Sequence, residues 1–167
     1  LKTVGKREVV AIGYDFNPVV SESGLTYLPD QTVAQALDLA DVEGLLIPGG
    51  AIRPQKPELT QLIQKLDREK RLLAAISNGP QYLGRAGILD RHRYTTSYGL
   101  DKAKALGDAN PFPLKNYVEQ RVVRDGHVIT AKGRAFVDFS FAIFDYLDVY
   151  AGRAEEKERL YADIMDR

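Results

Sequence analysis

The segment LLAAISNGPQYLGRAG, Leu72 to Gly87, decides the fold. It opens with a short apolar run, Leu72 to Ile76, which predicts a parallel strand buried on both faces. A helix is predicted to begin at Pro80, because proline suits the first helical turn, where its missing N–H would have had no partner. Ser77 follows the strand directly, so the segment predicts a buried strand, a sharp turn and a helix.

The turn itself is a near-match to a nucleophile elbow. Ala75-x-Ser77-x-Gly79 has small residues on both sides of the serine, which a tightly turned backbone requires. Such a turn lifts the serine above the sheet, beside N–H groups that can bind an anion. Ser77 is therefore a candidate nucleophile or polar anchor; the alternative is an ordinary serine that caps the following helix.

Composition limits the function classes. The 167 residues predict one domain, with 151–167 as a C-terminal helical extension. The formal net charge is zero, which argues against a general nucleic-acid surface, and no apolar run reaches the ~20 residues of a membrane helix. The absence of cysteine excludes disulfides, thiolate metal sites and a cysteine nucleophile. We expect a cytoplasmic protein without cofactor or metal.

Strands and helices are predicted to alternate along the chain, which favours an α/β fold with a mainly parallel sheet. The predicted strands are Arg7–Tyr14, Val42–Ile47, the elbow strand, Arg93–Ser97, Tyr117–Arg124 and His127–Ala131, with a hairpin near Val19–Leu28 and a tight turn at Asp125-Gly126. The predicted helices are a short one ending at Leu39, then Pro57–Lys70, the elbow helix, Gly99–Leu106, Ala135–Tyr150 and Arg153–Met165. The aromatic stripe from Phe136 to Phe144 is predicted to lie in the core or in a dimer interface.

An ordered set of motifs resembles the ThiJ/PfpI superfamily, which is class I glutamine amidotransferase-like. The motifs are Gly44-Leu45-Leu46-Ile47-Pro48-Gly49-Gly50, Ala74 to Pro80, Ala86-Gly87-Ile88-Leu89-Asp90, Tyr94-Thr95-Thr96, and Asp125-Gly126-x-x-Ile129-Thr130-Ala131-x-Gly133. The resemblance runs from Arg7 to about Tyr150. It implies a flavodoxin-like three-layer sandwich, usually a homodimer, and protease, amidase, glyoxalase or stress-response roles.

The chain departs from the family pattern at the site. The elbow position, which is Cys in most members, is Ser77, and a hydroxyl needs an adjacent base where a thiolate does not. The next residue, His in the protease-like members, is Asn78, and another family His would fall at Leu114. A Cys-to-Ser replacement would account for Ser77 but for neither of the other two positions.

The resemblance also places Arg7 to Asp30 on the family's second strand and hairpin. The family's first strand and first helix, which carry its Glu, are therefore expected to be absent from this chain. Because the first strand normally lies in the middle of the sheet, its loss would expose a central slot. The chain is therefore expected to be part of a longer polypeptide. A measured intact mass of 18.6 kDa, with no companion fragment, would refute this expectation.

The candidate site combines the elbow with the bend after the Val42–Ile47 strand. The backbone N–H groups of Asn78 and Gly50 are predicted to form an oxyanion pocket that faces Ser77. The substrate-binding set is Gly49, Gly50, Ser77, Asn78 and Gly79. Other titratable residues are given lesser roles. Asp15 could replace the missing Glu, and Glu119 could serve a hairpin hydrogen bond or, as the lesser alternative, the site. His127 is predicted to be exposed or structural, and His92 to lie in a solvated turn.

Three functions remain open for this site. The first is a protease-, amidase- or glyoxalase-like hydrolase that uses Ser77 with a base the sequence does not identify, for example one donated across a dimer interface. The second is a binding module for a small carboxylate or carbonyl compound, or a stress-response module, that has lost the family's chemistry. The third is a structural dimer without a used pocket. A small molecule or peptide is the expected ligand, and neither nucleic acid nor membrane is an expected partner.

Overall fold

A computed structural model describes residues 1–166 and shows a mixed α/β fold. The strands are β1 Ile12–Gly13, β2 Val19–Val20, β3 Thr26–Tyr27, β4 Gln31–Thr32, β5 Gly44–Ile47, β6 Leu72–Ile76, β7 Val122–Asp125 and β8 Val128–Ala131. The α-helices are α1 Val33–Ala36, α2 Pro57–Arg68, α3 Pro80–Arg85, α4 Leu100–Ala105, α5 Phe136–Tyr146 and α6 Ala154–Met165. Within this described part, no helix is long and apolar enough to cross a membrane.

The central sheet has four strands in the order β5-β6-β8-β7. β5, β6 and β8 are parallel, and only β7 runs antiparallel, to β8. The β7–β8 hairpin turns at Asp125-Gly126, as the sequence predicts, and Gly126 has the positive φ of 63° that such a turn favours. The predicted α/β class with a mainly parallel sheet is confirmed.

Alternate residues of β6 enter two different cores, which makes the fold three layers deep. Leu73 and Ala75 pack on one face with α1, α2 and α3. Leu72 and Ala74 pack on the other face with α5. All four side chains are fully buried, as expected of a parallel strand covered by helices on both faces.

The N-terminal strand is much shorter than predicted. Of Arg7–Tyr14, only Ile12 and Gly13 pair, and they pair with β4 instead of the central sheet. β5 is therefore an edge strand, and Leu46 on it is 42% exposed. The short strand has a physical reason, because an extended segment needs a hydrogen-bonded neighbour and residues 7–11 have none in the central sheet. Within the described residues, the outer edge of β5 has no paired strand.

Other predicted elements were too long. Arg93–Ser97 contributes only an isolated bridge from Tyr94 to Tyr117, and the following strand begins at Val122 instead of Tyr117. α1 ends at Ala36 instead of Leu39, and Thr32 caps its start in a full capping box with Gln35. In α5, Phe139 and Phe141 are buried as predicted, whereas Phe136 is 63% exposed.

Candidate functional site

Ser77 lies directly after β6 with an unusual backbone. Its φ is +62°, in the left-handed region that side-chain-bearing residues avoid at a cost of roughly 1–2 kcal/mol. Main-chain and side-chain contacts hold it there: its N–H donates to the carbonyl of Ala131 at 2.8 Å. Its carbonyl accepts from the N–H of Ser97 at 2.9 Å and from the hydroxyl of Thr96 at 2.7 Å. Residues from both neighbouring segments thus fix a strained turn that directs the serine side chain.

Two glycines flank the Ser77 side chain. A Cβ on Gly49 would lie 2.7 Å from the Cβ and 3.1 Å from the Oγ of Ser77. A Cβ on Gly133 would lie 3.2 Å from the same Oγ, and the N–H of Gly133 donates to the hydroxyl of Ser97 at 2.8 Å. Any side chain at 49 would press on the serine, so these glycines keep the hydroxyl open between two turns.

The bend after β5 is bonded to the elbow. The side-chain amide of Asn78 donates to the carbonyl of Gly50 at 3.0 Å. A Cβ on Gly79 would lie 2.8 Å from the carbonyl oxygens of both Ile47 and Pro48, so the helix start packs directly under the bend. The predicted residues Gly49, Gly50, Ser77, Asn78 and Gly79 are therefore adjacent in space.

Two backbone donors remain uncommitted at this place. Among the hydrogen bonds of residues 1–166, the N–H groups of Gly50 and Asn78 do not serve as donors. Gly50 also has a φ of +147°, a conformation open to glycine but rarely to other residues. Uncommitted N–H groups beside a hydroxyl are suited to an oxygen anion or a polarised carbonyl.

The titratable residues lie away from Ser77 or are engaged elsewhere. The backbone of His127 pairs with Leu73, and Ser77 lies four residues further along β6, about 13 Å at the rise of an extended strand. Glu119 bonds to Lys132 and to the hydroxyl of Tyr117. Asp15 is exposed and accepts from the N–H of Asn17 at 2.9 Å. Leu114, where a family His would fall, is a leucine in a short 3₁₀ turn and offers no base.

Gln81 is a site residue that the sequence reasoning missed. It is 1% exposed, and its amide nitrogen donates to the carbonyls of Ala51 and Asn78, at 3.1 Å each. Its amide oxygen accepts from the N–H of Arg53 at 3.0 Å and from the guanidinium of Arg85 at 2.8 Å. Gln81 thereby links the bend after β5 to the elbow. The sequence signal that could have revealed its role is a polar residue one position after Pro80, on a helix too short to have a polar face.

Two tyrosines lie near the same bend. Burial raises the pKa of the Tyr82 hydroxyl, and the nearby Tyr14 raises it further. The hydroxyl of Tyr14 accepts from the N–H of Lys56 at 3.2 Å, and the Lys56 ammonium lies 4.9 Å from the centre of its ring. Because its pKa is raised above the ordinary value of a phenol, the Tyr82 hydroxyl stays protonated near pH 7 and is a hydrogen-bonding group, not a base.

The two histidines converge, which their separation in sequence does not reveal. His127 is 6% exposed, and its Nε2 lies 2.8 Å from Oδ1 of Asp67. The prediction of a solvated turn at His92 is wrong, because the side chain is largely buried between Asp67 and Asp125. Burial lowers the pKa of His92, and His127 acts in the same direction, while Asp125 opposes the change.

A three-layer α/β fold with a polar side chain on a left-handed strand-to-helix turn defines a class: the elbow-bearing, flavodoxin-like proteins. Within that class, the model of the DJ-1/PfpI family matches residues 2–145, and the chain belongs to this family. The resemblance to the ThiJ/PfpI superfamily is thus confirmed.

Relatives and solved structures agree with this membership. The Parkinson disease protein 7 homolog of Danio rerio is 30% identical over 75% of this chain and 66% of its own length. An uncharacterized protease of Bacillus subtilis is 24% identical over 62% of this chain and 51% of its own length. The chain thus spans about two thirds of the length of the first relative and about half of the second. A DJ-1 superfamily protein from Agrobacterium tumefaciens superposes with a TM-score of 0.75 and 31% identity, over 95% of this chain and 84% of that one.

Proposed function

We propose that this DJ-1/PfpI family protein binds a small carboxylate or carbonyl compound at Ser77. The observation that carries the proposal is the Ser77 hydroxyl, held on a left-handed turn between Gly49 and Gly133, with uncommitted N–H groups on the adjoining residues Gly50 and Asn78. The groups that the site offers to a ligand are mainly hydrogen-bond donors. Its ligand is therefore an oxygen acceptor, preferably an ionised one, because hydrogen bonds to charged acceptors are about twice as strong as neutral ones.

Binding is favoured over the family's thiol chemistry by the groups around the hydroxyl. The chain has no cysteine, and both histidines lie at the other end of β6 and β8. A serine hydroxyl attacks a carbonyl only when a base within hydrogen-bond reach takes its proton. The neighbours of Ser77 are instead hydroxyls and glycine backbone, which hold a carbonyl oxygen without activating the serine.

A hydrolase- or glyoxalase-like activity is the second candidate. The left-handed φ of Ser77 favours it, because side chains held on strained turns cluster at reactive sites. Its base would come from a partner subunit. In that case p-nitrophenyl acetate is turned over by the protein, and Ser77→Ala abolishes the turnover. Turnover that survives the substitution would exclude Ser77 as the nucleophile.

Amide NMR with glyoxylate tests the binding proposal, since this probe carries both a carboxylate and a carbonyl. We expect saturable chemical-shift changes at the amides of Gly50 and Asn78. Gly49→Ala should abolish them, because the new methyl would lie 2.7 Å from the Ser77 Cβ. Gly99→Ala is the matched control, since a Cβ there meets no atom within 4 Å.

The proposal is refuted if glyoxylate shifts neither amide, or if Gly49→Ala binds as well as the unchanged protein. A shift pattern centred away from β5 and β6 would equally place the ligand elsewhere.

A further inference from the structure

Three side chains meet at the end of the sheet opposite Ser77. Asp67 lies in the last turn of α2, His92 in the segment between α3 and α4, and His127 immediately before β8. One potential ligand atom from each lies within 4.8 Å of the other two. The three residues come from segments far apart in sequence, so the fold itself assembles the cluster.

The spacing of the donor atoms suits a small metal ion. Oδ1 of Asp67 lies 2.8 Å from Nε2 of His127 and 3.9 Å from Nε2 of His92. Bonds of about 2.0–2.2 Å in a tetrahedral site put the ligand atoms roughly 3.4 Å apart, between these two values. The imidazole rings are perpendicular, with their centres 5.2 Å apart, so their edges can converge without stacking.

The surroundings of the cluster orient its ligands. The guanidinium of Arg91 binds Oδ2 of Asp67 at 2.8 Å, which leaves Oδ1 toward the histidines. Nδ1 of His92 is buried and has no hydrogen-bond partner within the described residues. It lies 3.7 Å from a carboxylate oxygen of Asp125, which the N–H of Arg93 already holds at 2.8 Å. A histidine that binds a metal through Nε2 commonly donates its other N–H to such a carboxylate.

We propose that Asp67, His92 and His127 bind a divalent transition-metal ion, with Zn²⁺ as the ion to test. Two imidazole nitrogens and one carboxylate oxygen suit zinc and its neighbours in the first transition row, whereas Mg²⁺ and Ca²⁺ prefer an all-oxygen set. Asp67 and Asp125 supply the negative charge that offsets the ion beside Arg91. Three protein ligands leave one tetrahedral position for water. The ion would tie α2, the His92 segment and β8 together.

Metal titration of the untagged, chelator-treated full chain tests this proposal. We expect one equivalent of Zn²⁺ by calorimetry and a visible tetrahedral spectrum with Co²⁺; because the chain lacks cysteine, that spectrum would come from nitrogen and oxygen ligands. His92→Ala should weaken Zn²⁺ binding by more than about 100-fold, since even the loss of a residue that only orients a ligand costs 10–100-fold. Asp125→Asn, which changes such an orienting residue, should fall in that smaller range.

Two further variants keep the test decisive. Asp90→Asn removes an exposed carboxylate two residues from His92 and should leave the affinity unchanged. His127→Ala, at a more buried position, should lose binding as His92→Ala does; if it fails to fold by circular dichroism, His92→Ala alone decides. The proposal is overturned if the unchanged protein binds no Zn²⁺ or Co²⁺, or if His92→Ala binds Zn²⁺ as tightly as Asp90→Asn.

Discussion

Replacing Ser77 with glycine should stabilise the protein while it removes the hydroxyl that we propose binds the ligand. The left-handed φ of +62° costs a side-chain-bearing residue roughly 1–2 kcal/mol, whereas glycine adopts this φ without steric strain. The substitution also gives the unfolded chain more freedom, which costs about 0.4–1 kcal/mol. The expected net gain is about 0.5–1 kcal/mol in the free energy of unfolding. For a chain of this size it raises Tm by roughly 1–4 °C.

Urea unfolding of a set of variants measures this gain. Ser77→Ala retains the unfavourable φ and should unfold near the midpoint of the unchanged protein, below that of Ser77→Gly. Lys70 gives an independent calibration, because it is exposed after α2 with a φ of +55°. Lys70→Gly should likewise exceed Lys70→Ala in stability. Only the changes at 77 should weaken the response to glyoxylate.

One pattern of results would refute the reasoning. If Ser77→Gly is less stable than Ser77→Ala while the Lys70 pair behaves as expected, the backbone at 77 is not strained. The elbow geometry, and with it the placement of the hydroxyl between Gly49 and Gly133, would then be wrong.

Two further predictions concern the packing around the site. A Cβ on Gly84 would lie 1.7 Å from the carbonyl oxygen of Pro111, so Gly84→Ala should lower the free energy of unfolding. The overpacking costs about 1–3 kcal/mol, more than the 0.5–1 kcal/mol that alanine gains in a helix. Thermal unfolding measures this loss of stability, with Gly99→Ala as the control. A Gly84→Ala protein as stable as Gly99→Ala would contradict the contact with Pro111. In β5, the carbonyl of Glu43 accepts from Leu72, so the alternating pattern directs the N–H of Leu45 to β6 and that of Leu46 to the open edge. Hydrogen exchange should be slow at Leu45 and fast at Leu46, and slow exchange at both would show that another strand covers this edge.

Local patterns predicted the elements whose structure depends on local chemistry. The apolar run of β6, the turn at Asp125-Gly126 and the spacing of α2 each carry their own signal in a few neighbouring residues. The adjacency of Gly49 and Ser77 also follows, because parallel strands bring their carboxyl ends to one edge of a sheet.

The errors arose where structure depends on distant partners. Residues 7–11 have a strand-like sequence, but pairing requires a neighbour that the chain does not place there. His127 and Asp67 are sixty residues apart, and their contact exists only because α2 and β8 flank β6 at the same end. The burial of Gln81 likewise depends on the carbonyl of Ala51, in another segment. None of these partners is visible in the residues next to the group concerned.

The strands that lead to the Ser77 site have unequal numbers of hydrogen-bonded neighbours, and this determines which parts of the site can move. β6 and β8, which carry Ser77 and lead to Gly133, each have two hydrogen-bonded neighbours, whereas β5, which carries Gly49 and Gly50, has one in the central sheet. A strand bonded along one edge opens locally at a lower free energy than one bonded along both. The side-chain amides of Asn78 and Gln81, which follow β6, donate to the carbonyls of Gly50 and Ala51 and so hold the segment after β5 from the paired side. The N–H of Gly50 therefore depends on two side-chain amides for its position, while Ser77 is fixed by the sheet itself.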